Sequence, residues 1–95
     1  MRDFARCADV CESALERAGA IASRSDLVVC AAVCRVAHRA LDDGLAVANA
    51  LVQYSVEVCR RCVEALDGDE EPGLAEVALA AATAADSAAT LLLVS

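Results

Sequence analysis

Lysine and tryptophan are absent from this 95-residue chain, and Phe4 and Tyr54 are its only aromatic residues. A core must then be filled with small and medium aliphatic groups. Such a composition speaks against a β-sandwich, which draws on aromatic and β-branched residues. One Pro and four Gly are too few punctuating residues for the frequent turns of an all-β fold. All eight basic residues are Arg, against fifteen Asp and Glu, and the net charge is −7. Phosphate backbones and anionic membrane surfaces repel such a chain, so neither nucleic acid nor membrane is an expected partner. A secretory apolar segment is missing as well, because Arg2, Asp3, Arg6 and Asp9 interrupt the N-terminus. The apolar C-terminal stretch is Ala-rich, and Asp86 interrupts it, which makes it too weak for a membrane span. The expectation is a soluble, cytoplasmic protein. It has one domain, residues 1–95, since a chain this short has no room for a second core.

What the chain has in quantity is 23 Ala, 12 Val and 11 Leu, with hydrophobic residues at 59%. That content excludes disorder and suits closely packed helices. Four helical segments can be read. The first runs from about Arg2 to Ala22, where Phe4, Cys7, Cys11, Ala14 (with Leu15), Ala18 and Ile21 recur at three- and four-residue steps. Ser25 or Asp26 is placed to cap the second helix, read from about Leu27 to Leu41, with the seam Leu27, Cys30, Cys34, Ala37 and Leu41. Asp42-Asp43-Gly44 ends it, and Gly44 is free to take a left-handed conformation there.

The third segment runs from about Leu45 to Leu66, with the seam Ala48, Val52, Ser55, Cys59, Cys62 and Leu66. Residues 67–71 read as a solvated acidic turn, and Pro72 fits the first turn of a fourth helix. That helix runs from about Gly73 to Leu93 on the seam Leu74, Val77, Ala81, Ala84, Ala88 and Leu91. Beside it, Ala75, Ala78, Ala82, Ala85 and Ala89 form a second apolar stripe. A broad apolar patch calls for cover by another chain, so a homo-oligomer is expected. Short connections make neighbouring helices antiparallel. The fold predicted is all-α, an antiparallel up-down-up-down four-helix bundle.

Six cysteines fall in pairs on the inward seams: Cys7/Cys11, Cys30/Cys34 and Cys59/Cys62. In a reducing compartment, clustered Cys more often bind metal or do redox chemistry than form disulfides. Positions i,i+3 and i,i+4 hold Cβ atoms roughly 5–6 Å apart, whereas a disulfide needs about 3.5–4.5 Å. A soft metal suits the wider gap, and thiolates select Cu(I). Pairs on adjacent helices also face one another, which permits sites of three or four sulfurs. His38 continues the row Cys30, Cys34, His38 by one turn and is a candidate seventh ligand at its mouth. Arg35, Arg39, Arg60 and Arg61 border the rows, where their charge would favour thiolate. Structural zinc is a weaker competitor, since it wants a closed tetrahedral site, usually with CxxC in a turn. A thioredoxin-like role is excluded because Cys59 sits inside a long helical pattern with no preceding strand. No catalytic constellation is visible, and no enzyme is expected. The alternative function is a structural or interaction bundle whose thiols only pack, as free Cys does in many cores.

These residues resemble a known family. Cys30-Ala-Ala-Val-Cys34-Arg-Val-Ala-His38-Arg-Ala-Leu41 is similar to the second-helix motif of the cysteine-rich four-helix-bundle copper storage proteins. Val56-Glu57-Val58-Cys59-Arg60-Arg61-Cys62 resembles their third-helix CxxxCxxC signature, with Ser55 in place of its first Cys. Phe4-Ala5-Arg6-Cys7-Ala8-Asp9-Val10-Cys11 resembles the Cys-rich stripe of their first helix. The resemblance covers about residues 1–67 and implies thiolate-bound Cu(I) inside one bundle, with assembly into tetramers. The chain departs from the family pattern in carrying no Cys on the fourth helix, Ser at 55 and Ala at 14. A smaller site, confined to the first three helices, is the expectation. Cytoplasmic Cu(I) storage or buffering by Cys7, Cys11, Cys30, Cys34, Cys59 and Cys62, with His38 as the additional ligand, is the function it implies.

Overall fold

The computed structural model describes residues 2–18, 24–44, 46–67 and 74–94. They form four helices: α1 (Arg2–Ala18), α2 (Arg24–Asp42), α3 (Ala48–Leu66) and α4 (Leu74–Val94). At about 1.5 Å per residue, these helices of 17 to 21 residues are roughly 26–32 Å long and make up most of the longest dimension of the molecule, 38 Å, against 20 and 17 Å across. Each helix packs on its sequence neighbours, and α4 closes the ring on α1. Among the described residues, the diagonal pairs, α1 with α3 and α2 with α4, keep their backbones apart. This is the four-helix bundle that the four seams predict.

Side-chain contacts fit the alternating direction. Arg24, at the start of α2, donates to the Leu15 carbonyl near the end of α1, at 3.4 Å. Asp3, at the start of α1, accepts from the Ser87 hydroxyl near the end of α4, at 2.6 Å. Both contacts join the first turn of one helix to the last turns of its neighbour, as an antiparallel ring requires.

Two helix starts differ from the sequence reading. Helix α2 begins at Arg24, so Ser25 and Asp26 lie inside its first turn and cap nothing from outside. Asp26 there still complements the positive N-terminal end of the helix. Helix α3 begins at Ala48 rather than Leu45. Two antiparallel axes stand about 8–10 Å apart, and the chain crosses that gap between Asp42 and Ala48. Gly44 does take the left-handed conformation, φ 65°, and its N–H bonds the Leu41 carbonyl at 3.3 Å. The expected turn at 68–71, Pro72 and the proposed first-helix residues 19–22 lie outside the described residues.

Among the described residues the seams are buried, except that Leu41 and Leu91 are half-buried. Phe4, Leu27, Val52 and Val77, one near the start of each helix, are among the largest fully buried side chains, together with all six Cys and Ser55. Alternating direction places Phe4 and Val52 toward one end of the bundle, and Leu27 and Val77 toward the other. Along α4, small residues do the packing: Ala81, Ala84 and Ala88 are fully buried. The stripe beside them is not uniformly free. Ala85 is buried in the chain's own core, Ala78, Ala82 and Ala89 are half-buried, and Ala75 is exposed.

Candidate metal centre

The six thiols are in the core because their helices turn one face inward. On α1, Cys7 and Cys11 follow Phe4 at helical spacing. On α2, Cys30 and Cys34 follow Leu27, and on α3, Cys59 and Cys62 lead to Leu66. Five of these cysteines are fully inaccessible, and Cys62 is 1% exposed. None is in a disulfide. Free Cys packs as a small hydrophobe, so burial alone does not distinguish a ligand from core filler.

The bundle gathers these thiols across helices as well as along them. Cys7 and Cys30 bring their Sγ atoms to 3.7 Å between α1 and α2. Cys34 and Cys59 approach to 3.5 Å between α2 and α3, and Cys30 lies 4.0 Å from Cys59. The Sγ atoms of Cys7, Cys30, Cys34 and Cys59 all lie within 4.8 Å of one another. Spacing along the sequence marks the pairs within a helix, but this group of four depends on how three helices are set against each other. Cys11 and Cys62 are buried beside it and are not members of the four.

Proximity alters the thiols' acidity. Cys7 is held well below the usual thiol range, first by hydrogen bonding from Cys11, then from Cys30, Cys34 and Cys59. Cys34 is pushed well up by its hydrogen bonds with Cys30, Cys59 and Cys7 and by burial. Cys11 is raised by Cys30, Cys62 and Cys7, again with burial. For Cys62, the hydrogen bond from Cys11 favours the thiolate, yet contact with Cys30 and burial outweigh it, and the group is pushed up to about 12. A cation entering the cluster must displace the thiol protons.

The arginines do not act on the thiols as their sequence positions predict. Arg35 is spent on carboxylates: its guanidinium reaches Glu12 at 2.8 Å and Asp9 at 2.6 Å. Arg39 pairs with Asp43 at 2.9 Å, and Arg61 with Glu57 at 3.4 Å. The thiol shifts come from other thiols and from burial. His38 is half-buried and lines a surface groove with Arg35, Val36, Arg39, Ala40 and Leu51. It is outside the four-sulfur group.

Among the described residues, Ser55 is the one buried polar residue outside the thiols, fully inaccessible. Its hydroxyl donates to the Leu51 carbonyl at 2.7 Å, which satisfies it within its own helix. The seam pattern placed Ser55 inward, but nothing in the spacing pointed to that bond.

Comparison with known proteins agrees with this arrangement. A family model described as copper storage protein matches residues 1–92, all four helices included. No curated protein and no solved structure matches the chain. With four helices, six inward thiols and a match over nearly its full length, the chain belongs to the copper storage protein family.

Proposed function

We propose that this protein stores or buffers Cu(I) in the cytoplasm, with Cys7, Cys11, Cys30, Cys34, Cys59 and Cys62 as ligands and His38 as an additional ligand at the edge. The observation that carries the reading is the convergence of four buried sulfurs within 4.8 Å in a chain of the copper storage family.

Charge balance calls for a cation. Six buried thiolates alone would place six negative charges in an apolar core, which is prohibitively costly. Three Cu(I) ions offset half of that charge, and sulfur sharing that admits further ions offsets more. Thiolate is also the ligand that selects Cu(I). Storage needs no catalytic group, and the site offers sulfurs without an acid–base partner aimed at a substrate.

The test is Cu(I) titration of the reduced protein without oxygen, against a competing chelator, with thiols counted. About three ions per chain are expected, since six thiolates at two per ion give that number and sharing raises it modestly. Uptake below one ion per chain rules the reading out. The account also holds that chains associate through the outer face of α4, where Leu79 and Leu93 are exposed. Light scattering showing a lone chain at high concentration contradicts that part.

A further inference from the structure

The spacing of the four sulfurs matches a second kind of ion. A tetrahedral centre with metal–sulfur bonds of about 2.3 Å has its sulfurs about 3.8 Å apart, the edge of the tetrahedron. The separations in the structure are 3.7 Å for Cys7 and Cys30, 4.0 Å for Cys30 and Cys59, and 3.5 Å for Cys34 and Cys59. The remaining separations are within 4.8 Å. Two sulfurs bound linearly to one ion would instead stand about two bond lengths apart, roughly 4.6 Å at the same bond length. These three contacts are shorter than that. Four sulfurs at tetrahedral spacing suit zinc or iron among the ions that thiolates bind, and zinc is the one that needs no redox partner.

We propose that Cys7, Cys30, Cys34 and Cys59 form a closed tetrahedral site for one divalent ion of the zinc class. The ion sits between α1, α2 and α3, and four thiols give up their protons to hold it. No electron transfer is involved, because zinc has no redox chemistry at such a site. Cys11 and Cys62 are not ligands of this ion. All four ligands are fully inaccessible, so the site is shut from water as structural zinc sites are. The buried face of α4 carries Val77, Ala81 and Ala84, none of which is a metal donor. The site uses thiols that the copper reading also uses, but it stands or falls separately.

The test is titration of the reduced, full-length, metal-free protein with Co(II) under anaerobic conditions. One Co(II) per chain is expected, with the intense visible bands of a tetrahedral cobalt–thiolate centre, and one equivalent of Zn(II) should bleach them. The double variant Cys11→Ala, Cys62→Ala should keep the bands. The double variant Cys34→Ala, Cys59→Ala should lose them, with circular dichroism confirming its helices. Cys7→Ser is a second, milder variant and should shift or weaken the bands. The proposal is overturned if wild type gives only the pale spectrum of octahedral Co(II), or if the bands survive Cys34→Ala, Cys59→Ala. Normal Cu(I) uptake without the cobalt bands overturns this site and leaves copper storage standing. The bands without Cu(I) uptake do the reverse.

Discussion

The Sγ atoms of Cys34 and Cys59 meet at 3.5 Å across the α2–α3 seam. The contact joins two helices and makes Cys59 a member of the four-sulfur group, which Cys62, one turn further along α3, is not. The two thiols of this CxxC are therefore unequal. Cys59→Ala should weaken Cu(I) binding more than Cys62→Ala, as read by competition with a chelator of known affinity. Both variants should stay helical, because losing one sulfur leaves only a small void. Equal losses would mean that the four sulfurs do not act as a unit.

Ser55 occupies a fully buried place on the same face of α3 as Cys59 and Cys62. Replacing it by Cys adds a seventh inward thiol and completes a CxxxCxxC row. The hydroxyl bond to Leu51 is lost, but that carbonyl is also a helix acceptor, so the stability cost should stay near or below about 1 kcal/mol. Cu(I) uptake per chain should rise above wild type in the same titration. Unchanged uptake would place the ion sites away from this end of the seam.

Acid should loosen the α1–α2 contact through Glu12. The Arg35 guanidinium holds the Glu12 carboxyl below its usual range, chiefly by hydrogen bonding. A carboxyl lowered in the folded state contributes stability that is fully present above its unfolded value, about 4.3, and is lost as pH falls through the folded value. Wild type should therefore melt slightly higher than Arg35→Gln at neutral pH, and the gap should close on acidification below that range. The groups are solvent-exposed, so the gap should be small and shrink with salt. A gap that widens in acid would contradict the assignment.

Much of the bundle was legible in the sequence because Ala, Val, Leu and Cys recur at three- and four-residue steps with polar residues elsewhere. The inward placement of Cys7, Cys11, Cys30, Cys34, Cys59, Cys62 and Ser55 follows from that period alone. The helix starts were less legible. Local capping residues such as Ser25 compete with continuation of the helix, and here Asp26 serves from inside the first turn. The start of α3 depends on how many residues must bridge two axes, which no local signal encodes. The four-sulfur group was legible only as a set of candidates. Choosing Cys7, Cys30, Cys34 and Cys59 needs the relative rotation and shift of three helices. The fate of Arg35 was hidden for the same reason, since Asp9 and Glu12 lie on a different helix.

The most direct test of the central claim, that these inward thiols hold copper as part of the fold, is the melting temperature with and without Cu(I). A ligand bound only by the folded state stabilises it by about 2.7 kcal/mol at a hundredfold excess over its Kd. Wild type should therefore melt markedly higher with Cu(I), whereas Cys30→Ala, Cys34→Ala should remain folded and lose much of that increment. Ala81→Ser, Ala84→Ser on the Cys-free helix should keep the increment, since a buried Ser can bond back to its own helix as Ser55 does. Equal shifts for wild type and the Cys30→Ala, Cys34→Ala variant would contradict the account.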